Sequence, residues 1–270
     1  MIEHCLKRIR EEKYPIRFLI SRVLWHSGAC RFFKIKRYNY KLKFYPTAVS
    51  ATLFYDPYFG RGDENFLHRF LREGDTFVDV GANIGHLTLC ASRIVGDKGA
   101  VHAFEPHPKI FRYLQNNIRF NNAHNVCSVN YGLGDQEKTM SFTNERSDDQ
   151  NCIDPENKSE VRVEVKRLDD MLKVDAINLL KVDTEGYEKF VFHGAFETLK
   201  KTRMIYFESN YELYARYGYR IEDVLDLLRP HGFKFFCYKD GNFMPFTGKT
   251  QSAIPTNLVA RLDKMVSCFI

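Results

Sequence analysis

One stretch, residues 76 to 105, limits what this chain can fold into more than any other. Thr76-Phe77-Val78-Asp79-Val80 reads as a buried strand and runs straight into Gly81-Ala82-Asn83-Ile84-Gly85. A helical pattern from His86 to Ser92 follows at once, and a second apolar run, Ala100 to Phe104, ends on Glu105-Pro106. Strand, glycine turn, helix and a second strand tipped with a carboxylate make the unit by which doubly wound α/β sheets hold a nucleoside.

The period continues on both sides of that unit. A helix is expected over 107–121, a strand over 125–131 leading into Gly132-Leu133-Gly134-Asp135, and a strand over 177–182 ending on Asp183-Thr184-Glu185-Gly186. A helix at 187–200, a strand at 203–207 ending on Glu208-Ser209-Asn210, a helix at 220–230 and strands near 233–238 and 256–262 complete it. Strands alternating with helices of this length predict a mostly parallel sheet covered on both faces, with the last two strands as an antiparallel edge. Two strands, 138–143 and 161–166, interrupt the period, and the charged link between them reads as a mobile loop outside the core. Before the sheet, residues 3–26 read as helical, 32–59 as β-like and 63–72 as a short helix.

With 270 residues, 44% hydrophobic and 27% charged, the chain fits one globular domain with or without an appendage. No run of about 18 apolar residues suggests a membrane-spanning helix, and the N-terminus lacks a secretory signal pattern. Seven scattered cysteines, never spaced Cys-x-x-Cys, point to a reducing compartment, so the expected location is cytoplasmic. The charge is uneven. Residues 1–45 hold twelve Lys or Arg against three Glu, a net of +9, which leaves −3 of the formal +6 for the remainder. This segment fits a solvated amphipathic helix covering the domain or, more sharply, peripheral contact with an anionic membrane. No recognition motif accompanies the charge, so nucleic acid is not an expected partner.

The turn chooses between two nucleoside cofactors. A dinucleotide wants glycines at the first, third and sixth positions so that its pyrophosphate can rest on the helix N-terminus. Here the third is Asn83 and the sixth is His86. S-Adenosyl-L-methionine has no phosphate, and Gly81-Ala82-Asn83-Ile84-Gly85 suits its amino-acid end better. Glu105, 24 residues after Gly81, is placed to accept from both ribose hydroxyls, and Asp135 to accept from the adenine amino group. The bland alternative is a tight turn and a helix cap, which the two acidic positions in register argue against.

The strings DVGANIGHLTL, AFEPHPKIFRYLQNNI and LLKVDTEGYE together resemble the FkbM family of S-adenosylmethionine-dependent methyltransferases, over about residues 74–262. The resemblance implies a Rossmann-like seven-stranded methyltransferase sheet and O-methylation of sugars or natural products. It places the cofactor turn on Asp79, Gly81, Asn83 and Gly85, the ribose carboxylate on Glu105, and a second block on Lys181, Asp183, Glu185 and Gly186. The corresponding division is a basic appendage at 1–60 and a methyltransferase domain at 61–270, with the inserted hairpin and loop at about 137–168.

Methyl transfer is an in-line displacement, so alignment comes first, and a general base helps a hydroxyl acceptor by roughly 10² to 10⁴. Asp183 and Glu185 fall just past a strand's carboxyl end, where open sheets bind ligands, with Lys181 on the same side if the strand persists. Asp183 is expected to border the methyl donor, Asp183 or Glu185 to take the acceptor's proton, and Lys181 to lower a carboxylate pKa or steady an oxyanion. The bland alternative is an ion pair of Lys181 with Glu185, which caps the next helix. No metal is expected, although Glu208 lies near. His102, His107, His193 and His231 read as structural. The acceptor is a small molecule or glycan; a catalytically silent scaffold docking through its basic N-terminus is the rival function.

Overall fold

The computed structural model describes residues 11–144, 150–239, 241–248 and 256–262. The part of the expected N-terminal helix before residue 11 lies outside them. Helix α1 (Pro15–His26) begins with proline at its first turn, where a missing N–H costs nothing. Two three-residue strands, β1 (Lys34–Lys36) and β2 (Lys41–Lys43), pair antiparallel. Residues 48–55 are not β-like but form helix α2 (Ala48–Tyr55), started by Thr47, whose side chain accepts from Ser50 N. Helix α3 (Arg61–Phe70) follows.

The main sheet then builds from β3 (Thr76–Val80), α4 (His86–Val95), β4 (Ala100–Phe104), α5 (Pro108–Phe120) and β5 (Val126–Val129). A small side sheet comprises β6 (Gly132–Leu133), β7 (Lys138–Ser141) and β8 (Arg162–Lys166). Helix α6 (Leu168–Met171) leads to β9 (Leu179–Val182). The single helix expected over 187–200 is two, α7 (Glu188–His193) and α8 (Phe196–Lys200). Gly194 separates them, and any Cβ there would stand 1.9 Å from the Gly134 carbonyl oxygen. The chain closes with β10 (Met204–Ser209), α9 (Tyr211–Arg216), α10 (Ile221–Leu228), β11 (Phe233–Lys239), β12 (Asn242–Pro245) and β13 (Thr256–Leu262).

The main sheet has the order β12-β11-β13-β10-β9-β3-β4-β5. Strands β10 to β5 run parallel, and β13 lies antiparallel between β10 and β11. Eight strands replace the expected seven, because the chain folds back after β11 and adds β12 as an outer antiparallel edge.

Alternation along the strands gives the sheet two apolar faces. Val78, Val80, Leu180, Val182, Ile205 and Phe207 pack under α6 to α10. Phe77, Leu179, Met204, Tyr206 and Val259 pack on the opposite side against α4, α5 and α3. Ile35, Tyr40, Leu42 and Phe44 are buried in that second layer, so residues ahead of the sheet contribute to its core. The link after β7 is less detached than its charge suggests. Cys152 and Ile153 are buried, Ile153 bridges Phe142, and Tyr217 donates to the Ile153 carbonyl at 2.5 Å.

Candidate active site

Strand order reverses between β3 and β9, and their carboxyl ends stand side by side. A parallel sheet opens a crevice at such a switch point. The two loops touch: Asp183 N donates to the Val80 carbonyl at 3.1 Å, and a Cβ on Gly81 would sit 1.8 Å from the Asp183 carbonyl oxygen. Only glycine fits there, which is the physical reason the turn begins with Gly81. Gly81 and Gly85 take left-handed backbone (φ 78 and 89), and so do Asn83 (φ 49) and Glu185 (φ 55). Positive φ in two non-glycine residues facing one cavity is strain of the kind that concentrates at functional sites.

Each backbone amide of the turn is already satisfied within the protein. Gly81 N and Ala82 N donate to the Phe104 carbonyl, Gly85 N to the Ala82 carbonyl, and Ile84 N to Asn83 Oδ1 at 2.7 Å. Asn83 N donates to Glu105 Oε2 at 2.9 Å, while Glu105 Oε1 accepts from His107 N at 2.8 Å. The buried Glu105 carboxylate is thereby fixed at the tip of β4. One backbone donor on each oxygen holds the plane of this carboxylate at the cavity lining.

Below the turn lies a buried charge cluster. Lys181 Nζ donates to the Gly81 carbonyl at 2.9 Å and pairs with Asp79 Oδ1 at 3.1 Å and Asp183 Oδ2 at 3.5 Å. Burial works to discharge Lys181, but Asp79 and Asp183 outweigh it and raise its pKa above the ordinary lysine value. Asp79 is fully buried and also accepts from Thr88 Oγ1 at 2.6 Å. Lys181 contacts Asp183, not Glu185 as the bland pairing had it. The cap of the 184–186 turn is Glu188, whose Oε1 accepts from Thr184 N, Thr184 Oγ1 and Gly186 N.

The cavity over these groups is lined by Asp63, Asp79, Glu105, Asp183 and Glu185 against one cationic side chain, Lys181, among the described residues. Gly81, Ala82 and Asn83 form its floor, and Tyr131, Leu133, Phe142, Ile153 and Tyr187 are among its walls. Gly85 stands behind the turn, where a Cβ would meet Leu114 at 2.6 Å. Asp135 is outside the lining, with Oδ1 3.4 Å from Lys138 Nζ, so the structure does not bring it to the other expected residues.

Several lining groups and their supports have no signature in the sequence. Asp63 accepts from Tyr206 OH at 2.6 Å and Asn257 Nδ2 at 3.2 Å, and burial raises its pKa against those bonds. His86 Nδ1 lies 2.7 Å from Tyr40 OH, which donates to Glu64 Oε1 at 2.5 Å. With the hydroxyl proton committed to Glu64, Nδ1 carries the imidazole proton. Arg37 clamps both oxygens of Glu64 at 3.0 Å. Burial, opposed by Glu64, lowers the His86 pKa to about 4 and leaves it neutral near physiological pH.

One oxygen each from Asp183, Glu185 and Glu208 lie within 4.8 Å of one another, close enough to share a cation. Burial, then repulsion from Asp183 and Glu188, raises the Glu208 pKa to about 8. The folded state therefore retains a proton that the unfolded chain releases near its ordinary value of 4.5. Glu208 therefore contributes a loss of folding stability as pH rises from about 5 to 8. Glu188, raised to about 7 mainly by burial, acts with the same sign, whereas His86 affects stability only below its ordinary 6.5. Between pH 6.5 and 8, Glu208→Gln is expected to flatten the fall in thermal midpoint by an amount worth more than about 1 kcal/mol. Parallel slopes for the variant and the parent would refute this reading of Glu208.

An acidic crevice whose 81–85 turn amides are all engaged within the protein fits a cationic, phosphate-free nucleoside and disfavours a diphosphate. Together with the parallel sheet and its reversed inner strand, it defines a Rossmann-like methyltransferase. The chain belongs to the FkbM methyltransferase family: the methyltransferase FkbM domain matches residues 79–235, more than half of it. S-Adenosylmethionine is the cofactor that membership implies, and the charge of this cavity suits its sulfonium and amino groups.

Methyltransferase 1 of Beauveria bassiana is 32% identical over 146 residues, covering 44% of this chain and 58% of that protein. Hexuronic acid methyltransferase AglP of Haloferax volcanii is 27% identical over 156 residues, covering 55% and 62%. 31-O-demethyl-FK506 methyltransferase FkbM of Streptomyces tacrolimicus is 29% identical over 208 residues, covering 64% and 78%. The match thus spans less than two thirds of the first two relatives.

Proposed function

We propose that the chain transfers a methyl group to a hydroxyl of a sugar, a glycan or another small molecule. The observation behind this reading is the asymmetry of one ion pair. The Asp183 side chain is 43% exposed at the cavity, while Lys181, which holds it, is 8% exposed. A carboxylate fixed from below and open above is what a hydroxyl acceptor needs for orientation and proton removal. Two relatives named for their acceptors, a hexuronic acid and 31-O-demethyl-FK506, support the acceptor class.

S-Adenosylmethionine, when bound, supplies a methyl carbon already activated by a sulfonium. In the proposal Glu105 accepts from its ribose hydroxyls, and Gly81, Ala82, Asn83 and Gly85 shape the turn that seats it. Asp79 acts through Lys181 and the Gly81 carbonyl. Asp63 and Asp183 offset the cationic charge, and Asp183 or Glu185 receives the acceptor's proton. Lys181 positions Asp183 through their contact at 3.5 Å. Asp135 is left without a role because it stands outside the lining. Retention of all these groups argues against a silent scaffold.

The test is incubation with methyl-labelled donor and host glycans, followed by locating the label. Alkali-stable label on a sugar hydroxyl is expected, at a rate unchanged by excess chelator. Alkali-labile label, or none, would overturn the hydroxyl assignment. Loss of the rate in chelator, restored by a divalent cation, would instead assign Asp183, Glu185 and Glu208 to a metal.

A further inference from the structure

Helix α1 presents apolar side chains to solvent on the side turned away from the protein. Its buried residues, Phe18 and Ser21, face α2, with Phe18 packed edge-on against Tyr55 at 5.3 Å. Ile16, Leu19, Ile20 and Val23 are 73%, 44%, 48% and 67% exposed. Their spacing of three, four and seven residues makes one continuous stripe. Phe32 and Phe33, at 72% and 43%, are exposed just beyond the helix. Apolar stripes normally face a core, and an exposed one marks an interaction surface.

Past Glu11 and Glu12, which precede the helix, the chain that carries the stripe is strongly basic. From residue 13 to 55 the sequence holds nine Lys or Arg and no Asp or Glu, and Lys13, Arg17, Arg31, Lys34 and Lys36 are exposed. No helix among the described residues is long and apolar enough to cross a membrane. A twelve-residue helix of this kind lies in a bilayer's interface, its apolar stripe among the acyl chains and its cations at the headgroups. Anionic lipid matches both features at once, because a polyanion would leave the stripe in water and an uncharged apolar partner would leave the cations unmatched.

We infer that this face docks the protein on an anionic membrane surface. The docked edge leads to the active site. Lys13 Nζ stands 4.8 Å from the ring centroid of Tyr58, which is 65% exposed, and the next residue, Phe59, lines the cavity. Resting on the function proposed above, this orients the cavity mouth toward acceptors held at the bilayer, so the acceptor class narrows to membrane-borne glycans or glycolipids. The appendage read from the sequence at residues 1–60 thereby acquires a task.

The experiment is co-sedimentation with phosphatidylcholine vesicles, with and without phosphatidylglycerol, at low and physiological salt. The chain is expected to pellet only with the anionic vesicles and to be partly released by salt, since exposed charges are screened beyond about 8 Å at physiological ionic strength. The triple variant Leu19→Ser, Ile20→Ser, Val23→Ser, altered only at exposed positions, is expected to partition at least about tenfold more weakly. No pelleting of the parent at low salt, or equal pelleting of parent and variant, overturns the inference. So does a parent dimer in sedimentation velocity that the variant abolishes without any vesicle binding, because the face would then join two copies. S-Adenosylhomocysteine affinity, measured in both proteins without vesicles, is expected to be equal. If neither protein binds it, the methyltransferase site fails while the vesicle result still decides the docking.

Discussion

Replacing Glu105 with Ala is expected to weaken S-adenosylhomocysteine binding by about 10²-fold or more. Two hydrogen bonds to an ionised acceptor are at stake, each worth about 1.5–3 kcal/mol. The carboxylate is held for that task by Asn83 N and His107 N, so the Ala variant also frees the turn it braces. Glu105→Gln separates the two effects. It keeps the side chain's shape and one acceptor oxygen, and is expected to retain a folded turn with an intermediate loss. Titration calorimetry reads both variants, and unchanged affinity in the Ala variant would remove Glu105 from the cofactor site.

Asp183→Ala is expected to lower the turnover number by about 10² to 10⁴, the range of a lost general base, with a much smaller change in cofactor affinity. Its exposure at the cavity means that truncation leaves no buried cavity, although Lys181 loses one of two carboxylate partners. Asp79 stays 3.1 Å away and keeps the ammonium charged. Glu185→Ala tests the neighbouring candidate, and the variant with the larger loss identifies the base. Full transfer by both variants with the cofactor still bound would show that neither removes the proton.

What the sequence revealed about this site follows from distance along the chain. The β3–turn–α4–β4 unit is contiguous, and its glycines answer to contacts the turn itself creates, so Gly81, Asn83, Gly85 and Glu105 were legible as a set. Lys181 and Asp183 were legible as a strand end, and the fold sets Lys181 against Asp79 and the Gly81 carbonyl. Asp63 was not, because its partners Tyr206 and Asn257 lie 143 and 194 residues away, on strands whose adjacency no local pattern specifies. The Arg37–Glu64–Tyr40–His86 chain was hidden similarly, because its members come from three separate segments that no local pattern joins.

The misread elements have local causes. Ala48 to Tyr55 is apolar on every side, so neither a period of two nor one of 3.6 stands out, and the Thr47 cap decides for helix. The edge strand β12 is short and poorly buried, which left little apolar pattern to find. Cys152 and Ile153 sit in a charged link, yet Tyr217 and Phe142 draw them into the core.

The most direct test of the central claim is a structure of the chain soaked with S-adenosylhomocysteine. The ribose hydroxyls are expected on Glu105, with the ligand's amino-acid end between the 81–85 turn and the carboxyl end of β9. Density elsewhere with that turn empty, or a diphosphate resting on the start of α4, would contradict it.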